Sequence, residues 1–189
     1  SIKATYIYFN VKQFIHSGII SSSYAPINCS QPILASVDCS ISVPTYDKGL
    51  SLNYDLGVWI KSDDNMTLDT NGNIKASSIL ICSNKVTISS LIDSSEVGCS
   101  ADEGPGNGID VAGTPGSGAG HCGLGGISNY QNKTENGGII YDNINNPSIR
   151  GSGGCLSSYG GSGGVILLNT SLLTLNNGAA FRANGQNGR

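Results

Sequence analysis

Glycine is crowded into one stretch of this chain, from Gly104 to Gly164, and that stretch opens into an apolar run, Val165 to Leu168. Such a density lets the backbone reach φ > 0 and pack closely, at a large entropic cost, so an ordered version has to be pinned by hydrogen bonds, cross-links and neighbouring strands. The stretch is therefore either a solvated linker or a tight module poor in side chains. Hydrophobic residues make up 38% of the chain, charged residues 12%, and the net charge is -3. A solvating linker carries more charge and fewer β-branched residues, so a packed module is expected.

With 189 residues the chain is long enough to bury a core. Its ten Lys and Arg residues form no run, which argues against a nucleic-acid partner. No apolar stretch approaches the roughly 20 residues that cross a bilayer, and no signal-peptide pattern is present. The chain opens on Ser1, which fits a processed product.

Six cysteines are present, Cys29, Cys39, Cys82, Cys99, Cys122 and Cys155, and none forms a C-x-x-C pair. Zinc sites and redox dithiols are thereby disfavoured and disulfides favoured. Sequence proximity suggests Cys29 with Cys39, Cys82 with Cys99, and Cys122 with Cys155, the last tying two glycine-rich loops together. Asn28, Asn65, Asn132 and Asn169 each open an N-x-[ST] glycosylation acceptor, whereas Pro147 excludes Asn146. Even cysteines and these acceptors together point to an extracellular or cell-surface location.

Ser1 to Ile20 alternates in the manner of a long strand, with Ile7, Phe9 and Val11 on one side and Tyr6 and Tyr8 on the other. It has no obvious hairpin partner nearby. From Pro26 to Leu56, short runs such as Ile33-Leu34 and Ile41-Ser-Val43 are broken by Pro32, Pro44 and Gly49, which predicts a small irregular β region. Helical periodicity is absent. From Leu56 to Ile92 a new rhythm sets in: Val58 and Ile60, Met66 and Leu68, Ile74 and Ala76, Ile79 and Ile81, Val86 and Ile88, then Leu91. Short strands like these, separated by polar turns, suit a chain that coils in one direction and stacks each turn on the last. The rhythm resumes after the glycine-rich segment as Val165 to Leu168, Leu172 to Leu175 and Ala179 to Ala183. The expected fold is all-β: a right-handed parallel β-helix over residues 56-189 with an ordered glycine-rich insertion at 100-164. A unit at 1-55, made of the long strand and the small β region, precedes it.

The glycine-rich strings carry a resemblance. They are Cys99-Ser-Ala-Asp-Glu-Gly-Pro-Gly106, Gly116-Ser-Gly-Ala-Gly-His-Cys-Gly-Leu-Gly-Gly126, Gly137-Gly-Ile-Ile-Tyr-Asp142 with Pro147, Gly151-Ser-Gly-Gly154, and Gly160-Gly-Ser-Gly-Gly-Val-Ile-Leu-Leu168 through Ala183-Asn-Gly-Gln186. Over roughly residues 66 to 189 this order of elements resembles a glycine-rich β-helix module of large secreted or cell-surface proteins of protists and plants. The resemblance implies fold and location rather than activity. Cys122 and Cys155 depart from it, standing where such modules usually have glycine.

Several motifs offer chemistry on paper. Gly118-Ala-Gly-His-Cys-Gly123 matches G-x-G-x-x-G and Gly160-Gly-Ser-Gly-Gly164 matches G-x-S-x-G, but neither opens a helix as dinucleotide binding or a nucleophile elbow requires. His121, set among glycines, suits holding two loops together, with base or ligand as its other roles. Asp142 can accept from loop amides or from His121 and fix its tautomer. Asp63, Asp64, Asp69, Asn71 and Asn73 gather oxygen donors that calcium would favour, without the EF-hand order, and polar turns between strands look the same. Polysaccharide-acting β-helix enzymes need grouped carboxylates, while adjacent pairs such as Asp102-Glu103 point to opposite sides of a strand. Neither an enzyme, a cofactor nor a metal is expected.

What remains is association. The N-terminal strand, Lys3 to Ile15, either pairs within its own domain or is left unpartnered as a template for another copy, and head-to-tail contacts that do not close grow into filaments. The leading expectation is a secreted, glycosylated, disulfide-stabilised building block of an extracellular fibre or surface coat, whose partners are other copies of itself. The alternative is a carbohydrate-binding or adhesive module, with Trp59 and the eight tyrosines available to stack on sugars.

Overall fold

The computed structural model describes residues 1-4, 7-22, 57-109, 116-130, 133-145, 149-155 and 160-186. The small β region expected from Pro26 to Leu56 lies outside the described residues. The strands in chain order are β1 (Ile2–Ala4), β2 (Ile7–His16), β3 (Ile19–Ser22), β4 (Val58–Leu68), β5 (Asn73–Lys75), β6 (Ser78–Ile88), β7 (Leu91–Asp93), β8 (Ser128–Tyr130), β9 (Lys133–Glu135), β10 (Val165–Asn169), β11 (Leu172–Leu175) and β12 (Ala180–Arg182). No helix occurs among the described residues, so the fold is all-β.

Two parallel sheets carry the fold. One holds β2, β4, β6 and then both β10 and β11; the other holds β1, β3, β5, β7 and β12. From β1 to β7 the strands alternate between the two sheets; β10 and β11 then both join the long sheet and β12 the short one. The sequence pattern explains why the layers register. Ile2, Ile20, Ile74, Ile92 and Phe181 lie opposite one another in turn across the short sheet. Across the long sheet Ile7, Val58, Ile79 and Ile166 form one such column, and Phe14, Met66, Val86 and Leu173 another. All of these side chains except Ile2 and Leu173 share one core, which also takes in Ile60, Leu68, Ile81 and Ile88. A one-residue slip in any layer would turn its aliphatic set outward, which is what fixes the register.

The paired aliphatics expected to be separate short strands merge into longer ones. Val58-Ile60 and Met66-Leu68 are the two ends of β4, and Ile79-Ile81 and Val86-Ile88 the two ends of β6. Between the halves, β4 shifts register against its neighbours from Ser62 to Asn65, and the Ser62 hydroxyl donates to the carbonyls of Asn65 and Lys12. A bulge lets both halves point their apolar residues inward, and the sequence shows it only as an interruption of the alternation.

Of the two courses open to the N-terminal strand, it takes pairing within the chain. β2 pairs in parallel with β4 from Ile7↔Val58 to His16↔Leu68, and β3 pairs with β5. Strands β1, β2 and β3 therefore build the same sheets as the later strands, and one edge of β2 is satisfied within the chain. Gly18 makes the turn from β2 to β3 with φ at 129°, a conformation closed to side-chain-bearing residues.

Outside the two sheets, the glycine-rich segment is ordered by backbone hydrogen bonds that run to several neighbours. The Gly118 amide donates to Gly126 while its carbonyl accepts from Gly138, and Gly120 donates to Gly106. Gly153 donates to Glu103, Gly154 to Gly160 and Ser162 to Cys99. Several of these close approaches leave no room for a Cβ atom; one on Gly138 would collide with the Gly106 carbonyl. A short antiparallel pair, β8 with β9, projects from this layer.

Candidate functional site

The glycine-rich layer gathers the chemically capable side chains. The His121 amide donates to the Gly123 carbonyl and the His121 carbonyl accepts from Tyr141, which brings Asp142 beside the imidazole. His121 Nε2 lies 3.1 Å from Asp142 Oδ2 and 3.0 Å from the Ile149 carbonyl. Both are acceptors, so Nε2 carries the proton of the neutral ring and Nδ1 is the bare nitrogen. Asp142 is fixed in turn by the Ile149 amide at Oδ2 and the Asn143 amide at Oδ1, each at 2.8 Å. The Tyr141 ring tilts against the imidazole at 5.0 Å, and its hydroxyl donates to the Arg150 carbonyl at 2.6 Å. Burial, above all, pushes the Tyr141 phenol up, so it acts as a neutral donor.

Cys122 Sγ lies 3.8 Å from His121 Nδ1. The bridge expected between Cys122 and Cys155 is not formed, and both are thiols. Their surroundings explain it. Cys155 is buried, its amide packed against Gly108, whereas Cys122 sits half-buried beside His121 and Asp142. Cys82 and Cys99 are both disulfide-bonded, yet no two cysteines among the described residues lie at disulfide distance from each other. The expected pairing of Cys82 with Cys99 is thereby corrected: Cys82 stands on β6 beside Asn169, and Cys99 stands beside Ser162, ahead of β10. Cys29 and Cys39 lie outside the described residues, as do the acceptors Asn28 and Asn132. Of the remaining acceptors, Asn65 is half-buried at the β4 bulge and Asn169 is exposed at the end of β10.

Sequence reasoning missed Arg150, which is fully buried and donates through Nε to the Ser78 hydroxyl. An arginine in a glycine-rich string reads as a solvated charge. Trp59 stands outside the main core in a second cluster with Leu80, Cys82, Val165 and Leu167, its ring edge-on to Tyr8, and it is only 2% exposed. The ring is consequently closed to a sugar. The oxygen donors Asp63 to Asn73 are not gathered on one centre. Asp63 and Asp64 project at the bulge, Asp69 caps its own turn by accepting from the Asn71 amide, and Asn73 accepts from Leu91. A shallow cleft of about 290 Å³ opens at the bulge, lined by Lys61, Asp63, Asn84, Asn169, Thr170 and Ser171 among others.

The last layer leaves apolar side chains exposed. Leu173 and Leu175 oppose the fully buried Val86 and Ile88 in register, yet are 39% and 52% exposed. Ile2, opposite buried Ile20, is 40% exposed at the other end. The short-sheet column thus ends exposed at Ile2, while Ile7 and Phe14 of the long sheet stay buried at that end, and the last layer leaves Leu173 and Leu175 exposed at the other.

The fold and these surfaces define an all-β protein of stacked parallel layers with a hydrogen-bonded glycine-rich side layer. No known family, curated protein or solved structure matches the chain. Among the described residues no helix is long and apolar enough to cross a membrane.

Proposed function

We propose that this chain is a secreted structural module whose layers form a right-handed parallel β-helix and whose copies stack end to end into an extracellular fibre or surface coat. The single observation that carries the reading is the exposure of in-register core columns at both ends: Leu173 and Leu175 at one, Ile2 at the other. Among the described residues, β2 has a neighbour on one side alone, as do β10 and β11 on the far side of β6. Such edges are templates for further strands. Because all pairings are parallel, the first layer of one copy meets the last layer of the next with the same strand direction, a head-to-tail contact that does not close. Right-handedness follows the general preference of crossovers between parallel strands. The oxidised state of Cys82 and Cys99 supports an oxidising compartment, and the exposure of Asn169 suits a glycan acceptor.

This reading changes the mode of association expected from sequence. β2 is engaged with β4, so the contact is made by layer faces and outer strand edges rather than by donating a loose strand. Sedimentation and electron microscopy of the oxidised full chain test it. Concentration-dependent linear polymers are expected, and a monomer at every concentration would overturn the reading.

A further inference from the structure

Cys122, His121 and Asp142 form a chain of contacts that end-to-end stacking does not use. The thiol faces Nδ1 of the imidazole at 3.8 Å, and the opposite nitrogen is held at 3.1 Å by a carboxylate whose side chain is only 5% exposed. With Nε2–H committed to Asp142 and the Ile149 carbonyl, the bare Nδ1 lone pair is the one turned to sulfur. This is the arrangement a nucleophile needs: a base within reach and a third group orienting the base. The imidazole is 35% exposed at its side chain and Cys122 is half-buried, so a small reagent can reach the sulfur.

We propose that Cys122 is a nucleophilic thiol, with His121 as its general base and Asp142 as the residue that positions that base, and that it is modified by exchange with small-molecule disulfides. As sulfur attacks one atom of R–S–S–R, the thiol proton passes to His121 Nδ1. A Cys122–S–S–R bond forms, the R–S–S–R bond breaks, and the departing thiolate takes the proton back from Nδ1. One thiol is consumed and one released, with no net oxidation. Burial, and after it the charge of Asp142, pushes the Cys122 thiol up, so at neutral pH the sulfur is protonated and depends on the base. The titratable groups facing the pair are Asp142 and Tyr141.

The test uses the oxidised full chain with two probes, cystine and a chromogenic aromatic disulfide. Peptide mapping after cystine treatment is expected to find a half-cystine on Cys122 and none on buried Cys155. With the aromatic disulfide, the wild-type rate between pH 6 and 8 should be at least about tenfold above that of His121→Gln, at the lower end of what general bases contribute. Glutamine keeps an amide donor for Asp142 and the Ile149 carbonyl but has no basic nitrogen. Its rate should rise about tenfold per pH unit and meet the wild-type rate only when the thiol ionises unaided. Asp142→Asn should fall between the two, and Cys122→Ser should abolish labelling. Matching pH profiles for wild type and His121→Gln, or an adduct at Cys155 in place of Cys122, would overturn the proposal.

Discussion

At the residue scale, close backbone approach and single polar contacts decide the glycine-rich layer. Gly138 donates to Gly118 and accepts from Gly125, and its α-hydrogens face the carbonyl of Gly106. Gly138→Ala would force a methyl into backbone that cannot yield as a side-chain end does. We expect a loss of about 1–3 kcal/mol, the range for overpacking, read as a lower denaturant midpoint, together with faster amide exchange at Gly118 and Gly120. The contact of His121 with Asp142 was legible in the sequence because an imidazole and a carboxylate among glycines have few other partners. Cys122 and Cys155 were not, since even counts and proximity say nothing of how differently the two are placed, one half-buried beside His121 and the other buried near Gly108. Arg150 was hidden for the same reason: its burial depends on Ser78, which lies 72 positions away.

At the element scale, the short sheet shows how charge is placed between layers. Asp93 on β7 lies opposite Lys75 on β5 and Arg182 on β12. Burial acts to raise its carboxyl, but hydrogen bonds from Ser95 and the two flanking cations outweigh it and hold the group below the ordinary carboxylate range. A depressed folded-state pKa gives stability that is full above the unfolded value, about 3.9, and is lost as pH falls through the folded one. Asp93→Asn should therefore lower the melting temperature at pH 5 to 7, and the difference from wild type should shrink and vanish as pH falls through the depressed folded-state value. Raising salt should shrink it, because the cations are screened. An equal difference at pH 2 would show that the ladder contributes shape rather than charge. The strands themselves were largely legible, since aliphatic alternation marks an inward face whatever the topology. Their lengths were not, because the bulge from Ser62 to Asn65 breaks the period without ending the strand. The pairing of β2 with β4 was out of reach as well, since 41 residues separate the end of one from the start of the other.

At the scale of the whole molecule, the two ends of the stack are not equivalent, and that asymmetry makes stacking testable in a mixture. The last layer offers Leu173 and Leu175; the first offers Ile2 and the edge of β2 that has no neighbour among the described residues. Full burial of a leucine stabilises by about 1.5–3 kcal/mol, so replacing both by lysine removes a large part of the attraction and adds two charges to desolvate. The variant Leu173→Lys/Leu175→Lys keeps an intact first layer. Alone it should remain monomeric, because every contact needs one last layer. Mixed into wild type it should bind the exposed last layer of a growing polymer through its own first layer and stop further addition. A few per cent of variant should then shorten wild-type polymers in electron micrographs while the total mass assembled changes little. Polymers of unchanged length would mean that copies meet through some other surface, since a symmetric side-to-side contact gives a variant altered only at the end no means of terminating growth.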